Sequence, residues 1–417
     1  MKDFNGEQKM NVYDIFEERG LVEQCTDTGR VKEMLEKPLT CYIGFDPTSD
    51  SFHCGSLVPI MALAHMQRAG HRVIALVGGG TAMIGDPSGK TELRQLLTPE
   101  RIEANAEGLK KQLSHFLDFS GDRALMLNNA DWLLPLNFIE FLRDIGRHFS
   151  VNKMLAAESY RMRLETGLNF IEFNYMLLQA YDFLYLFREK GCTFQMGGND
   201  QWGNILAGTD LIRRVEGGDA EALTFPLLTT ASGTKMGKTE QGAIWLDPQR
   251  TSPYDYYQYW INTDDRDAGK FLALFTFLPM DEVRRLSSLE GAEIREAKEV
   301  LAWECTAILH GEDAAAEARD ASKALFSKGG APAGDAVPTV EFEMAKLKEG
   351  VPVFALFTEA GLVKSRGEAR RLIQQGGAYV NGRRIEQFDE KITANDIEEG
   401  FVLLRAGKKK YMRLLPV

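Results

Sequence analysis

Apolar residues along this chain fall into short unbroken runs, separated by longer stretches in which they recur at helical spacing. The runs are Leu39 to Phe45, HRVIALVGG (71–79), ALMLN (124–128), TFQMGG (193–198) and LTFPLLT (223–229). Continuous apolar character over so few residues marks strands buried on both faces. Between them the spacing predicts one or two amphipathic helices over 11–37, broken at Gly20 and Gly29, and a polar helix over 99–118. Helical segments follow from Phe138 to Leu164, with a strong helix from Phe170 to Phe187 and another over DQWGNILAGTDLIRR. Strands alternating with helices predict an α/β fold, a Rossmann-like doubly wound parallel sheet that takes ligands at the carboxyl ends of its strands.

From Thr251 the pattern changes. SPYDYYQYWIN puts proline at a helix start, and IREAKEVLAWECTAILHG and EDAAAEARDASKALF are helical by period. SKGGAPAGDAVP (327–338) has the composition of a linker. Order then resumes: VFALFTEAG reads as a short helix, and Ser365 with Glu368 as a capping box for a basic helix containing Arg366, Arg370 and Arg371. YVNGRRI carries an Asn-Gly hairpin turn. The expected domains are an α/β domain over 1–230, a lysine-bearing loop and helical domain over 231–330, a linker over 331–350, and a small α+β domain over 351–417.

Charge separates the two ends of the chain. With 49 basic and 60 acidic residues the net charge is −11, which argues against general adhesion to nucleic acid or to an anionic membrane. From Val351 onward, however, 12 Lys and Arg face 8 Asp and Glu, so a basic tail follows an acidic body and suggests one localised polyanion contact. Five cysteines without C-x-x-C spacing indicate neither a disulfide framework nor a structural zinc site. MKDFNGEQKM lacks the apolar core of a signal peptide, and no run of about 18 apolar residues is present to span a bilayer. The cytoplasm is the expected compartment.

Candidate chemistry centres on YIGFDPTSDSFHCGSLVP (42–59), which reads as a strand, a glycine- and hydroxyl-rich turn, and a helix start. Unpaired backbone N–H groups and the helix dipole favour an anion there, and Gly55 lets a flat ring approach the backbone. A histidine and a glycine opening a helix also occur merely as caps. What shifts the balance is TKMGKT (234–239), with Lys235 lying 182 residues beyond His53 and Lys238 three residues further on. Mobile ammonium groups in a glycine-containing loop suit charge building on a leaving polyphosphate. Tyr175, Gln179 and Asp182, spaced i, i+4, i+7, share one face of a helix. A polar stripe on an apolar helix is hard to explain as core, because each buried polar group needs a partner.

H-C-G-S resembles the H-I-G-H signature of class I aminoacyl-tRNA synthetases, and K-M-G-K-T resembles their K-M-S-K-S loop. YIGFDPT, ALVGGGTAMIGDPSGK, FNYMLLQAYDF and QMGGNDQWGN resemble, in order and spacing, the bacterial tyrosyl-tRNA synthetases, and the likeness runs from about residue 10 to 417. The helix-helix-hairpin arrangement after Val351 resembles the S4 RNA-binding module. The resemblance implies formation of tyrosyl-adenylate from tyrosine and ATP with Mg²⁺, then transfer of tyrosine to the 3′ end of tRNA(Tyr). No tightly bound cofactor and no protein-held metal is implied.

By the same resemblance, Thr48 and His53 donate to the γ-phosphate end of ATP. Lys235, Lys238 and Thr239 close over the pyrophosphate, helped by Lys90 and Arg94. Gly44, Asp46, Gly55, Ser56, Gly197, Gly198 and Asp200 take the nucleoside, with Lys238 serving ATP as well. Asp86, Tyr175 and Gln179 take the substrate ammonium, Gln201 orients the amino acid, and Tyr42 and Asp182 bond its phenol. Arg366, Arg370, Arg371, Arg383, Lys408, Lys409 and Lys410 are the RNA contacts. The implied assembly is a homodimer, with an apolar helical surface over about 131–165 as its candidate interface, and neither membrane nor DNA is an expected partner.

Departures from the pattern are Ser56 for the signature's second histidine, Ile43 and Pro59 where some relatives are polar, and Gly237 and Thr239 where the general loop has serines. Two alternatives stand beside this reading. One is a tryptophanyl-type synthetase, which the Tyr42 and Asp182 pair opposes. The other is a non-catalytic RNA-binding paralogue, which His53, Lys235 and Lys238 oppose.

Overall fold

The structure, a computed structural model, describes residues 10–88, 98–233, 236–239, 242–326, 337–398, 400–407 and 410–417. The chain forms two compact units, one comprising Met1–Asp247 with Thr263–Leu301 and the other Pro248–Asn262 with Ala302–Val417. Helix Ile294–His310 carries the chain from the first to the second.

The first unit is built on a six-stranded sheet of β1 (Gln24–Cys25), β2 (Thr40–Phe45), β3 (Arg72–Val77), β4 (Ala124–Asn128), β5 (Cys192–Gly198) and β6 (Glu221–Phe225), in the order β1-β6-β5-β2-β3-β4. Strands β2 to β6 are parallel and β1 is antiparallel to β6, pairing Gln24 with Thr224 and Cys25 with Leu223. The sheet is therefore mixed, correcting the all-parallel expectation. Two residues between helices leave no room for an alternating pattern, which is why the short edge strand is illegible in the sequence. Central strands are buried on both faces, as Val73 to Val77 all are. Strand order reverses between β2 and β5, so a crevice opens at their carboxyl ends.

Three sequence expectations need correction here. Gly29 does not break a helix: Asp27 caps one running Thr28–Leu35, while Gly20 ends Val12–Arg19 with φ 74°. The polar helix stops at Leu113, and β6 stops at Phe225 because Pro226 has no N–H for the ladder.

Helix Phe170–Lys190 bears Tyr175, Gln179 and Asp182. Asn169 and Glu172 form a reciprocal capping box at its start, and Gly191 at φ 61° ends it. Glu172 also accepts from the Arg163 guanidinium at 3.0 Å, with both side chains buried.

In the second unit, helix Pro253–Ile261 packs on helix Glu312–Phe326. Its five-stranded sheet runs in the order 383–384, 378–380, 402–406, 410–416, 339–342. Strand Thr339–Phe342 lies parallel to Lys410–Pro416, so the chain joins this sheet well before the Val351 boundary that composition suggests. Helices Val353–Glu359 and Arg366–Gln374 close the core through Leu356, Phe357 and Ile373. Asn381 and Gly382 have φ 47° and 76°, the signs a type I′ hairpin turn needs. Ser365 accepts from the Glu368 amide, but Glu368 takes the amide of Lys364 rather than that of Ser365, so the expected capping box is displaced by one residue.

Removing one member of a buried ion pair strands the other charge. Glu172→Ala is expected to destabilise the first unit by about 3–5 kcal/mol, read as a lower urea midpoint, with a smaller loss when Arg163 is replaced by Met in the same chain.

Candidate active site

The crevice at the strand-order reversal is a cavity of about 550 Å³. Tyr42 and Gly44 reach it from β2, Asp46 from the turn just after it, Gln195 and Gly197 from β5, and Tyr175, Gln179 and Asp182 from one face of helix Phe170–Lys190. The register that pairs Tyr42 with Gln195 sets two polar side chains side by side on otherwise apolar strands.

The deep end carries an acid held out of water. Asp182 is buried and accepts from Asn129 Nδ2 at 2.9 Å and from Trp132 Nε1 at 2.8 Å. Burial pushes its pKa up to about 7, with Asp46 adding to the rise and the two donors opposing it. Asn129 is itself fixed, accepting from the Gly80 amide at 2.8 Å and donating to Thr81 at 3.0 Å, while the Trp132 ring stacks on Tyr185 at 4.3 Å. Against this acid lies a hydroxyl awaiting a partner. Tyr42 is 1% exposed, and its Oη has no hydrogen-bonding partner among the described residues, nor has Oε1 of Gln195. Burial, reinforced by Asp182, holds the Tyr42 phenol well above its usual pKa, so it is a neutral donor.

Toward the mouth the carboxylates of Asp46, Asp86 and Asp200 also line the cavity. Tyr175 Oη donates to Asp46 at 3.3 Å, and Thr81 donates to the same group at 3.2 Å. Asp86 accepts from the Ser88 amide at 2.9 Å and from Gln201 Nε2 at 2.6 Å. Gln201 is in turn fixed by Asn204 at 3.1 Å. Asp46, assigned by resemblance to the nucleoside, thus stands beside Tyr175, assigned to the ammonium.

The signature segment and the lysine loop meet at this mouth. His53 Nδ1 accepts from the Gly55 amide at 2.9 Å, capping a short 3₁₀ turn, Cys54–Ser56, that leads into helix Leu57–Arg68. A Cβ on Gly237 would stand 2.6 Å from the Gly55 nitrogen, so only glycine permits the loop backbone to lie this close. Gly44 has open space where a Cβ would be, leaving the strand bare for a flat group. A Cβ on Gly198 would meet Asp200 Oδ1 at 2.6 Å. Thr48 and Ser56 both line the cavity, Ser56 without a capping bond of its own. Lys90, Arg94 and Lys235 lie outside the described residues, as do Lys408 and Lys409. Lys238 and Thr239 are described only as backbone, in a hairpin with Gly242–Ala243.

In the second unit Arg366, Arg370, Arg371 and Arg383 are exposed. Arg370 lies over the rings of Phe354 and Phe388 at 4.6 and 5.0 Å, and Arg383 pairs with Glu390 at 2.6 Å. Lys410 is half-buried.

Residues 34–327 match the family described as tRNA synthetases class I (W and Y), and residues 331–414 match the tyrosine–tRNA ligase SYY-like C-terminal domain. A tyrosine–tRNA ligase of Syntrophus aciditrophicus is 61% identical over 419 residues, covering 96% of this chain and 98% of that relative. The chain belongs to the class I tyrosine–tRNA ligases. A ligase of the same name from Caldanaerobacter subterraneus is 56% identical, over 97% of this chain and 99% of its own. Among solved structures, a C-terminally truncated mitochondrial tyrosyl-tRNA synthetase of Aspergillus nidulans superposes with a TM-score of 0.69 at 31% identity, covering 77% of this chain and 96% of that one. A tryptophanyl-tRNA synthetase of Encephalitozoon cuniculi shares the fold at 16% identity and a TM-score of 0.55. The activity of this chain is that of a tyrosine–tRNA ligase, as its motifs imply, and neither alternative reading is supported.

Asn129, Trp132, Thr81 and Gln195 escaped the reading of the ligase's sequence. Signals existed for two of them: a glutamine inside the apolar run TFQMGG, and an Asn-Asn pair at the carboxyl end of ALMLN. The acid at the deep end yields a pH test. Its folded pKa of about 7 lies above the unfolded carboxyl value, so the folded state binds the proton more tightly and this group's contribution to stability falls as pH rises toward 7. Asp182→Asn is therefore expected to gain about 2 kcal/mol relative to the unmodified protein between pH 5 and 7.5 without ligands, measured by urea denaturation at the two pH values.

Proposed function

We propose that this cavity holds tyrosine with its phenol at the deep end and its carboxylate toward the mouth, against the α-phosphate of ATP. The observation that carries this reading is the unpartnered Tyr42 hydroxyl beside Asp182. One donor and one acceptor, both out of water, complement a phenol, whereas phenylalanine leaves the buried Tyr42 hydroxyl without a partner and Asp182 with only Asn129 and Trp132. The substrate ammonium lies among Asp86, Tyr175 and Gln179, with Asp46 added because it accepts from Tyr175, and Gln201 is positioned by Asp86.

Activation joins the tyrosine carboxylate oxygen to the α-phosphorus and breaks that phosphorus's bond to pyrophosphate. No covalent nucleophile is needed, so the protein's task is alignment and stabilisation of charge on the leaving group. His53 accepts at Nδ1 and therefore presents Nε2–H as a neutral donor toward the polyphosphate, beside Thr48. Lys235, Lys238 and Thr239, with Lys90 and Arg94, supply positive charge to the leaving pyrophosphate, and Mg²⁺ enters with the nucleotide. Gly44, Gly55, Gly197, Gly198, Asp200 and Ser56 form the nucleoside side.

The second unit takes tRNA, in the manner of an S4 module, through Arg366, Arg370, Arg371, Arg383 and Lys410, with Lys408 and Lys409, outside the described residues, assigned the same role from sequence. A homodimer fits the first unit. Leu134, Phe138, Ile139, Val151, Leu164 and Phe170 are all exposed, an apolar surface of the kind a second copy covers. The five cysteines are free thiols, consistent with a reducing cytoplasm.

Tyrosine-dependent ATP–pyrophosphate exchange tests the assignment, and exchange equally strong with phenylalanine would refute it. Tyr42→Phe is expected to weaken tyrosine binding roughly 3- to 10-fold, seen as a raised KM for tyrosine. Deleting residues 337–417, which removes the whole C-terminal sheet, is expected to abolish tRNA charging while leaving exchange largely intact. Parallel loss of both activities contradicts that division of labour.

A further inference from the structure

One aromatic side chain at the mouth of the cavity packs on the signature histidine. Trp245 lines the cavity beside His53, with the two ring centroids 6.2 Å apart and the planes at 75°, an edge-on contact. Its backbone is joined to the same segment. His53 and Trp245 form an antiparallel bridge, flanked by the Cys54 amide donating to the Ile244 carbonyl at 2.9 Å and the Leu246 amide donating to the Phe52 carbonyl at 2.9 Å. Leu246 is buried, which pins this short ladder to the first unit.

The ladder also continues in the other direction. Ile244 donates to the Gly237 carbonyl at 2.9 Å, one step before the pairing of Lys238 with Ala243. The lysine hairpin, residues 244–246 and the signature segment 52–54 are consequently linked by consecutive backbone hydrogen bonds. At the far end, Gly237 lies back against the Gly55 nitrogen. His53 is thus held on two sides: Gly55 fixes which nitrogen carries the proton, and Trp245 limits how its ring can tilt.

We propose that Trp245 is a positioning residue for tyrosyl-adenylate formation: its indole braces the His53 imidazole, and its backbone bridge ties the segment carrying His53 to the strand that pairs with Lys238 and Thr239. The proposal rests on the assignment of His53 to the ATP phosphates. It identifies the residue through which the strand after Gly237 is joined to His53, which lies far from it in the chain.

The test is a double-mutant cycle on the full-length protein, using His53→Ala, Trp245→Ala, Trp245→Phe and the double Ala variant. The readouts are the single-turnover rate of adenylate formation at saturating ATP and, separately, the equilibrium affinity for tyrosine. Trp245→Ala is expected to slow adenylate formation roughly 10- to 100-fold with tyrosine affinity unchanged, and Trp245→Phe to recover most of the rate. In the His53→Ala background, removing Trp245 is expected to cost no more than about 2-fold further, because a brace has no effect once the braced ring is gone. Losses that multiply in the double variant overturn the proposal, as does a tyrosine affinity that falls in step with the rate. A full rate in His53→Ala overturns the phosphate assignment itself, which separates failure of that reading from failure of this one.

Discussion

Asp182 sits out of water, where burial alone would leave it a neutral acid with nothing fixing its orientation. Asn129 and Trp132 prevent this by donating to its two oxygens, and each is held in turn, the amide by Gly80 and Thr81 and the indole by Tyr185. Those supports come from the ends of β3 and β4 and from the neighbouring helix. The parallel register of the sheet therefore decides where one carboxylate points. A slip of one residue in β4 would turn Asn129 away from the cavity and take one of its two donors from the acid.

From that acid a hydrogen-bonded path leads outward. Asn129 donates to both Asp182 and Thr81, Thr81 donates to Asp46, and Tyr175 donates to Asp46 from the same helix that carries Asp182. Both ends of the cavity are thus tied to helix Phe170–Lys190, one through Asp182 and the other through Tyr175. In a low-dielectric site, groups joined in this way hold their donors and acceptors in fixed directions. That fixity lets a site discriminate by leaving a partner unpaired, since a flexible pocket would re-pair its groups at little cost. The capping box and buried ion pair at the start of the helix serve the same end, because a frayed first turn would move Tyr175 before it moved Asp182.

The sequence announced the parts of this arrangement that depend on periodicity. Five apolar runs became the five parallel strands, and the i, i+4, i+7 stripe lies on the cavity face of its helix as spacing required. What the sequence could not show depends on contacts between distant segments. Trp132 reads as an ordinary core aromatic until it is seen donating to Asp182, and Trp245 gives no signal because a bridge to residue 53 leaves no local pattern. The two-residue edge strand and the early start of the C-terminal sheet fail for the same reason: each exists only through its partner. His53 lay between these cases: the structure shows it as a cap, accepting at Nδ1 from Gly55, and the same bond leaves Nε2 for the proposed donor role.

Ser56 then takes on a more limited meaning. It stands at the start of helix Leu57–Arg68 without capping it, and its hydroxyl reaches less far than the imidazole it replaces in the signature. If this mouth takes the ATP phosphates as proposed, a serine there leaves more of the anion's stabilisation to the backbone of the turn and to His53, whose Nδ1 is held by the Gly55 amide and whose ring packs on Trp245. Orientation matters more as donors become fewer, because a neutral N–H contributes to a developing charge only along its own axis. On that proposed assignment, with one imidazole where the signature has two, the constraints on that remaining ring are the feature this site can least do without.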